Sequence, residues 1–105
     1  MRFPKSARIT KAGEFSDLLR NGRRRNGSAV SICWRPGAGR RLGIAVSRKI
    51  KGSARKNRIK RVVREVFRTS PETFPLGDVI VIAKMGTDAL TNHQIRKVVH
   101  DLLDR

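Results

Sequence analysis

Metal-assisted cleavage of a phosphodiester needs several carboxylates converging on one or two cations. The acids of this chain are Glu14, Asp17, Glu65, Glu72, Asp78, Asp88, Asp101 and Asp104. They are scattered along the sequence, and no close pair stands beside the densest run of base. His93 and His100 are two turns apart on one predicted helix, too far for joint ligation. Cys33 is the only cysteine, which excludes an internal disulfide and a cysteine metal cluster. There is no glycine-rich phosphate loop. What remains is cation: 25 Lys and Arg against 8 acids, a net charge of +17. Such residues bind anions rather than transform them. The chain therefore reads as a binder, with no catalytic group and no metal or cofactor of its own.

The cations concentrate in residues 55–68, RKNRIKRVVREVFR, where Glu65 is the only acid. At about 100° per residue, Ile59, Val62, Val63, Val66 and Phe67 fall on one side of a helix. Asn57, Arg61, Arg64 and Arg68 form a narrow stripe nearly opposite. Lys56 and Lys60 flank the apolar side at one edge and Arg58 at the other. A helix whose charges serve only solubility mixes signs at i,i+4; here Glu65 can pair with Arg61 or Arg68 at best, and the other cations have no acidic partner in the helix. Arg48, Lys49 and Lys51 precede it, and Arg23 to Arg25 and Arg40-Arg41 are expected in loops. The planar guanidinium fork favours phosphate. Aromatics for base stacking are few: Phe3, Phe15, Trp34, Phe67 and Phe74. That pattern suggests a reader of backbone and shape, as structured RNA requires, with DNA not expected.

No stretch approaches the ~18 apolar residues of a membrane span, so a membrane partner is set aside. The start, MRFPKSARITKAGEF, lacks an apolar segment and does not read as a secretory signal. A cytoplasmic protein fits best.

These cations need a scaffold, and 105 residues allow one RNA-binding domain. Residues 1–9 read as an extended basic lead-in. A helix is expected over 11–20, capped by Thr10, with Phe15, Leu18 and Leu19 on its apolar face and Asn21-Gly22 ending it. Residues 28–34 read as a strand with Val30, Ile32 and Trp34 on one face. Residues 42–47 read as a second strand, whose other face, Gly43, Ala45 and Ser47, is small enough to admit close approach. The basic helix spans 53–69 and ends before Pro71. The apolar run 78–83 fits a strand buried on both faces. Thr91, with Gln94 in capping-box position, opens a last helix. The expected order of elements is α-β-β-α-β-α.

The segment 41–68, RLGIAVSRKIKGSARKNRIKRVVREVFR, resembles the protein subunit of bacterial ribonuclease P. Its KNRIKRVVRE corresponds to that family's RNR motif. FPKSARITKAGEF, DVIVIAKMG and the last amphipathic helix also match in order, over residues 3–103. The resemblance implies an accessory role in a ribonucleoprotein enzyme. In that family the RNA subunit uses Mg²⁺ to remove the 5′ leader of precursor tRNA, and the protein broadens substrate use and lowers the Mg²⁺ requirement. It implies two sites. The RNR helix, here Lys56, Asn57, Arg58, Lys60, Arg61 and Arg64 with Arg68 on the same ridge, would bind the RNA subunit. A cleft between the first helix and the sheet would hold the leader, at Phe15, Leu19, Ile32, Arg48 and Lys49. Lys56 stands where the motif has its first Arg, and Leu19 and Ile32 where aromatics are common. The family fold implies an α+β sandwich of helices on a small central mixed sheet, with a left-handed β-α-β crossover against the usual hand. A structured-RNA binder unconnected to cleavage and a stand-alone nuclease are the competing readings.

Overall fold

The computed structural model describes residues 7–9 and 11–104. Thr10, Phe3 and most of the basic lead-in lie outside the described residues. Helix α1 (Ala12–Asn21) is followed by strands β1 (Arg23–Asn26), β2 (Val30–Pro36) and β3 (Arg40–Val46). Helix α2 (Ser53–Thr69), strand β4 (Gly77–Ala83) and helix α3 (Asn92–Asp104) complete the chain. The sheet order is β1-β2-β4-β3. β4 is antiparallel to β2 and parallel to β3, so α2 is the crossover between parallel neighbours. The fold is the expected α+β arrangement of a mixed sheet and helices, with one strand more than the sequence pattern indicates.

That extra strand is β1. Arg23 to Arg25 lie in the sheet and not in a loop, paired antiparallel with Trp34, Cys33 and Ile32. No apolar alternation marks the segment; its side chains hold the strand in place. Arg24 donates to the Leu19 carbonyl in the last turn of α1, at 3.1 Å. Arg25 donates to the Leu102 carbonyl near the end of α3, at 2.8 Å, and its guanidinium lies over the Trp34 ring. Both satisfy carbonyls that a helix C-terminus leaves without an internal partner.

Strand alternation splits the core in two. Val30, Ile32, Leu42, Val79 and Val81 face α2 and α3, where Ile59, Val62, Val63, Val66, Phe67, Ile95, Val99 and Leu102 close the larger cluster. Cys33 and Ile80 face α1, where Leu18 and Ile9 complete a much smaller one. β4 is central and covered on both sides, which explains its unbroken apolar run. The capping box of α3 is formed as expected: Thr91 N–H donates to Gln94 Oε1 at 2.8 Å, and Gln94 N–H to Thr91 Oγ1 at 3.1 Å.

With few buried residues beneath it, α1 depends on ion pairs at one end of the sheet. Arg41 lies in β3, not in a loop. It grips both Asp78 oxygens at 2.8 Å and reaches Glu14 of α1 at 2.5 Å. Arg35 bonds Asp17 of α1 at 2.6 Å and also reaches Asp78. The Arg41 bonds hold the Asp78 and Glu14 carboxyls below their ordinary range. Bonds from Asn21 and then Arg35 do so for Asp17. Depressed carboxylates contribute stability above their unfolded values near ~4 and lose it as pH falls through the folded ones. Thermal stability should therefore stay level down to about pH 5 and then decline. In Asp78→Asn the decline should be shallower, from a lower plateau. Parallel melting curves for the two proteins across pH check this.

Candidate nucleic-acid interface

The face of α2 that avoids the core carries the cations where the helical wheel puts them. Asn57, Arg61, Arg64 and Arg68 are exposed, and Lys56, Arg58 and Lys60 are half-buried beside them. The helix begins badly by the rules of isolated helices. Gly52 occupies the N-cap with φ 91°, no side chain caps the first turn, and no acid lies in it. Arg55 and Lys56 stand there instead, against the helix dipole. An external anion would remove that penalty.

These side chains are not equivalent. Arg58 turns inward and donates to Asn92 Oδ1 at 2.6 Å, the Asp88 carbonyl at 2.9 Å and the Leu90 carbonyl at 3.1 Å. It ties α2 to the turn before α3. Arg68 is bound through two nitrogens to Glu65, whose carboxyl it lowers. Among the described residues Arg61 and Arg64 have no acidic partner. Their guanidiniums are the least committed on the ridge.

One flank of the ridge opens on the sheet. A recess of about 180 Å³ brings Lys60 and Arg64 together with Arg8, Phe15 and Gly43 around the β3 edge. The backbone leading to α1 lies along that edge, where Ile9 N–H donates to the Leu42 carbonyl at 3.1 Å. The small face of β3 works as its composition suggests. A Cβ on Gly43 would stand 2.7 Å from Phe15 Cε2, so only glycine lets that ring lie on the strand. The half-buried Leu19 packs against the same cluster.

α1 covers only part of its sheet face. Beyond Phe15 the strands stay open in a groove of about 540 Å³ with Ala45, Ser47 and Ile82 along it and Ser28, Lys49 and Met85 at its rim. Arg48 is exposed in the turn beside it. Five residues were expected in a cleft here, and Phe15, Leu19, Arg48 and Lys49 do lie around this half of the sheet. Ile32 does not. It is 1% exposed in the core beneath α2 and α3, because its place in the strand alternation turns it to the other face. Its neighbour Cys33 faces α1 but is sealed, its thiol donating to the Leu18 carbonyl at 3.0 Å and pushed up by burial. Ile82 and the 64% exposed Met85 were missed, whereas Ala45 lies on the small strand face that the sequence marks for close approach. Reading the run 78–83 with period 2 would have separated Ile80 and Ile82 from Val79 and Val81.

Glu14, Asp17 and Asp78 do converge, but on guanidinium groups. Among the described residues no group of three or more His, Cys, Asp or Glu is placed to hold a metal ion. No helix there is long and apolar enough to cross a membrane.

Residues 3–105 match the family model described as Ribonuclease P. The ribonuclease P protein component of Desulfotalea psychrophila is 36% identical over 104 residues, covering 96% of this chain and 87% of that protein. The same component of Xanthomonas oryzae is 39% identical over 106 residues, covering 99% and 73%. The structure of the Staphylococcus aureus RNase P protein superposes with a TM-score of 0.88 at 28% identity, covering 95% of this chain and 94% of that one. For the Thermotoga maritima RNase P protein the TM-score is 0.83 at 28% identity, covering 93% and 96%.

Proposed function

The chain belongs to the ribonuclease P protein family, and from that premise we propose that it is the RNA-binding subunit through which a catalytic RNA engages precursor tRNA. Membership makes it a component of an endoribonuclease complex that matures tRNA 5′ ends. The finer assignment is our reading. The α2 ridge lies against the RNA subunit, and the open half of the sheet, from Phe15 to Lys49, holds the single-stranded 5′ leader. RNA carries the chemistry with Mg²⁺, the protein binds no cofactor, and the site of action is the cytoplasm.

The observation that carries this reading is the pairing of two surfaces across the β3 edge. On α2, Arg61 and Arg64 are exposed cations that have no acidic partner among the described residues and are suited to phosphate. Around the edge, Phe15 presents a ring beside a groove with an apolar floor and a basic rim, suited to a flexible strand. Two polyanions that meet repel each other. Cations placed between them offset that repulsion, and less Mg²⁺ is then needed to do so.

The test is a cleavage assay on precursor tRNA with three mixtures: protein alone, ribonuclease P RNA alone at low Mg²⁺, and both. Activity only in the mixture is the expected result. Activity of the protein alone would make it a nuclease in its own right. No enhancement in the mixture would leave it a structured-RNA binder.

A further inference from the structure

The other flank of the α2 ridge is a separate cleft. It has a volume of about 380 Å³ and runs between α2 and α3, lined by Arg58, Arg61, Val62, Glu65, Asn92 and Arg96. Three guanidiniums face one carboxylate there, and that carboxylate, Glu65, is already bound by Arg68. Arg58 is fixed by its three acceptors and forms the inner wall. Arg61 from α2 and Arg96 from α3 are both exposed, and among the described residues neither has an acidic partner. Two unpaired guanidiniums on opposite walls of one cleft repel each other. The one acid on these walls, Glu65, is drawn to Arg96 across the cleft, but its hydrogen bonds are taken by Arg68, so positive charge stays in excess.

We infer that the α2–α3 cleft is a second phosphate seat for the RNA subunit, with Arg96 and Arg61 gripping one backbone phosphate from opposite sides. It rests on the reading that α2 faces that RNA, and it extends the contact from one helix to two. The ridge then stands as a wall between two grooves. Lys60 and Arg64 serve the sheet side, and Arg61 and Arg96 serve the α3 side. A phosphate there relieves the repulsion between the two guanidiniums and accepts planar N–H pairs from both. The asymmetry of α3 agrees with this. Its neighbouring cation, Lys97, is bound to Asp101 at 3.4 Å, while Arg96, among the described residues, makes no ion pair and feels Glu65 only at a distance.

The experiment measures equilibrium binding of the full chain to a bacterial ribonuclease P RNA across a salt series. The variants are Arg96→Ala, Arg96→Lys, Arg61→Ala, Arg64→Ala and Lys97→Ala, each with a melting curve. Arg96→Ala should weaken binding about tenfold and lower the salt slope by about 0.7–0.9. Arg96→Lys should recover part of the affinity, since charge returns without the fork. Lys97→Ala removes the same charge from the same helix and should leave binding near wild type. If Arg96→Ala behaves like Lys97→Ala while Arg61→Ala and Arg64→Ala both weaken binding, the cleft assignment is wrong and the α2 reading stands. If none of the arginine variants changes affinity, both are wrong.

Discussion

Replacing Arg61 and Arg64 together with alanine should weaken binding to ribonuclease P RNA by about 100-fold at moderate salt, with the fold intact. Each guanidinium making charge-assisted bonds to phosphate is worth roughly 1.5 kcal/mol or more, and about 3 kcal/mol is about two decades of affinity. The salt slope should fall by about 1.4–1.8, the contribution of two phosphates. Neither side chain touches the core, since the buried residues of α2 are Ile59, Val62, Val63, Val66 and Phe67. Alanine is also the best helix former, so stability should change by no more than about 0.5 kcal/mol. A salt slope equal to that of the unaltered protein would remove the ridge from the interface. The outcome differs for Arg58, which would unfasten α2 from the turn before α3 as well as lose charge.

The second large effect is on stability. Gly77 opens β4 with φ 126°, and a Cβ there would stand 2.0 Å from the Arg35 carbonyl and 2.7 Å from the Gly37 nitrogen. Both obstacles are backbone, held by the pairing of Pro36 with Gly77. Gly77→Ala should therefore cost about 3 kcal/mol or more. That is a large share of the ~5–15 kcal/mol that holds a small domain together. Asp78 follows directly, so the damage should spread to the Arg41 and Arg35 pairs that fasten α1. Urea unfolding of the variant beside Gly13→Ala makes the contrast, since a Cβ on Gly13 meets nothing within 4 Å. A loss under about 1 kcal/mol for Gly77→Ala would contradict the backbone conformation assigned to it.

The sequence disclosed most where local physics is strongest. The basic helix ends where expected because its apolar stripe, its cations and Pro71 all agree. The capping box of Thr91 and Gln94 needs only three residues of separation. The readings that failed all needed a distant partner. Arg41 read as a loose cation because Asp78, its partner, is thirty-seven residues away. Ile32 was assigned to the correct alternating set, but which face α1 covers depends on the placement of a whole helix. Phe15 was visible as an aromatic on α1, yet its seat on Gly43 could be seen only once both elements were in place. Arg23 to Arg25 gave no strand signal because what holds them is the ends of two helices.

That last arrangement has a consequence for how the sheet assembles. Adjacent residues of a strand point to opposite faces, so Arg24 reaches α1 and Arg25 reaches α3. With arginine at 23, 24 and 25, a slip of one residue can leave an arginine at each helix end, so the residue that marks the frame is Asn26, whose Oδ1 accepts from Ser31 Oγ across the pair at 3.2 Å. The sequence RRRN has no hydrophobic pattern to forbid such a slip. Asn26 takes over that duty, acting as a register lock on a strand whose three arginines would otherwise cap the two helices in more than one frame.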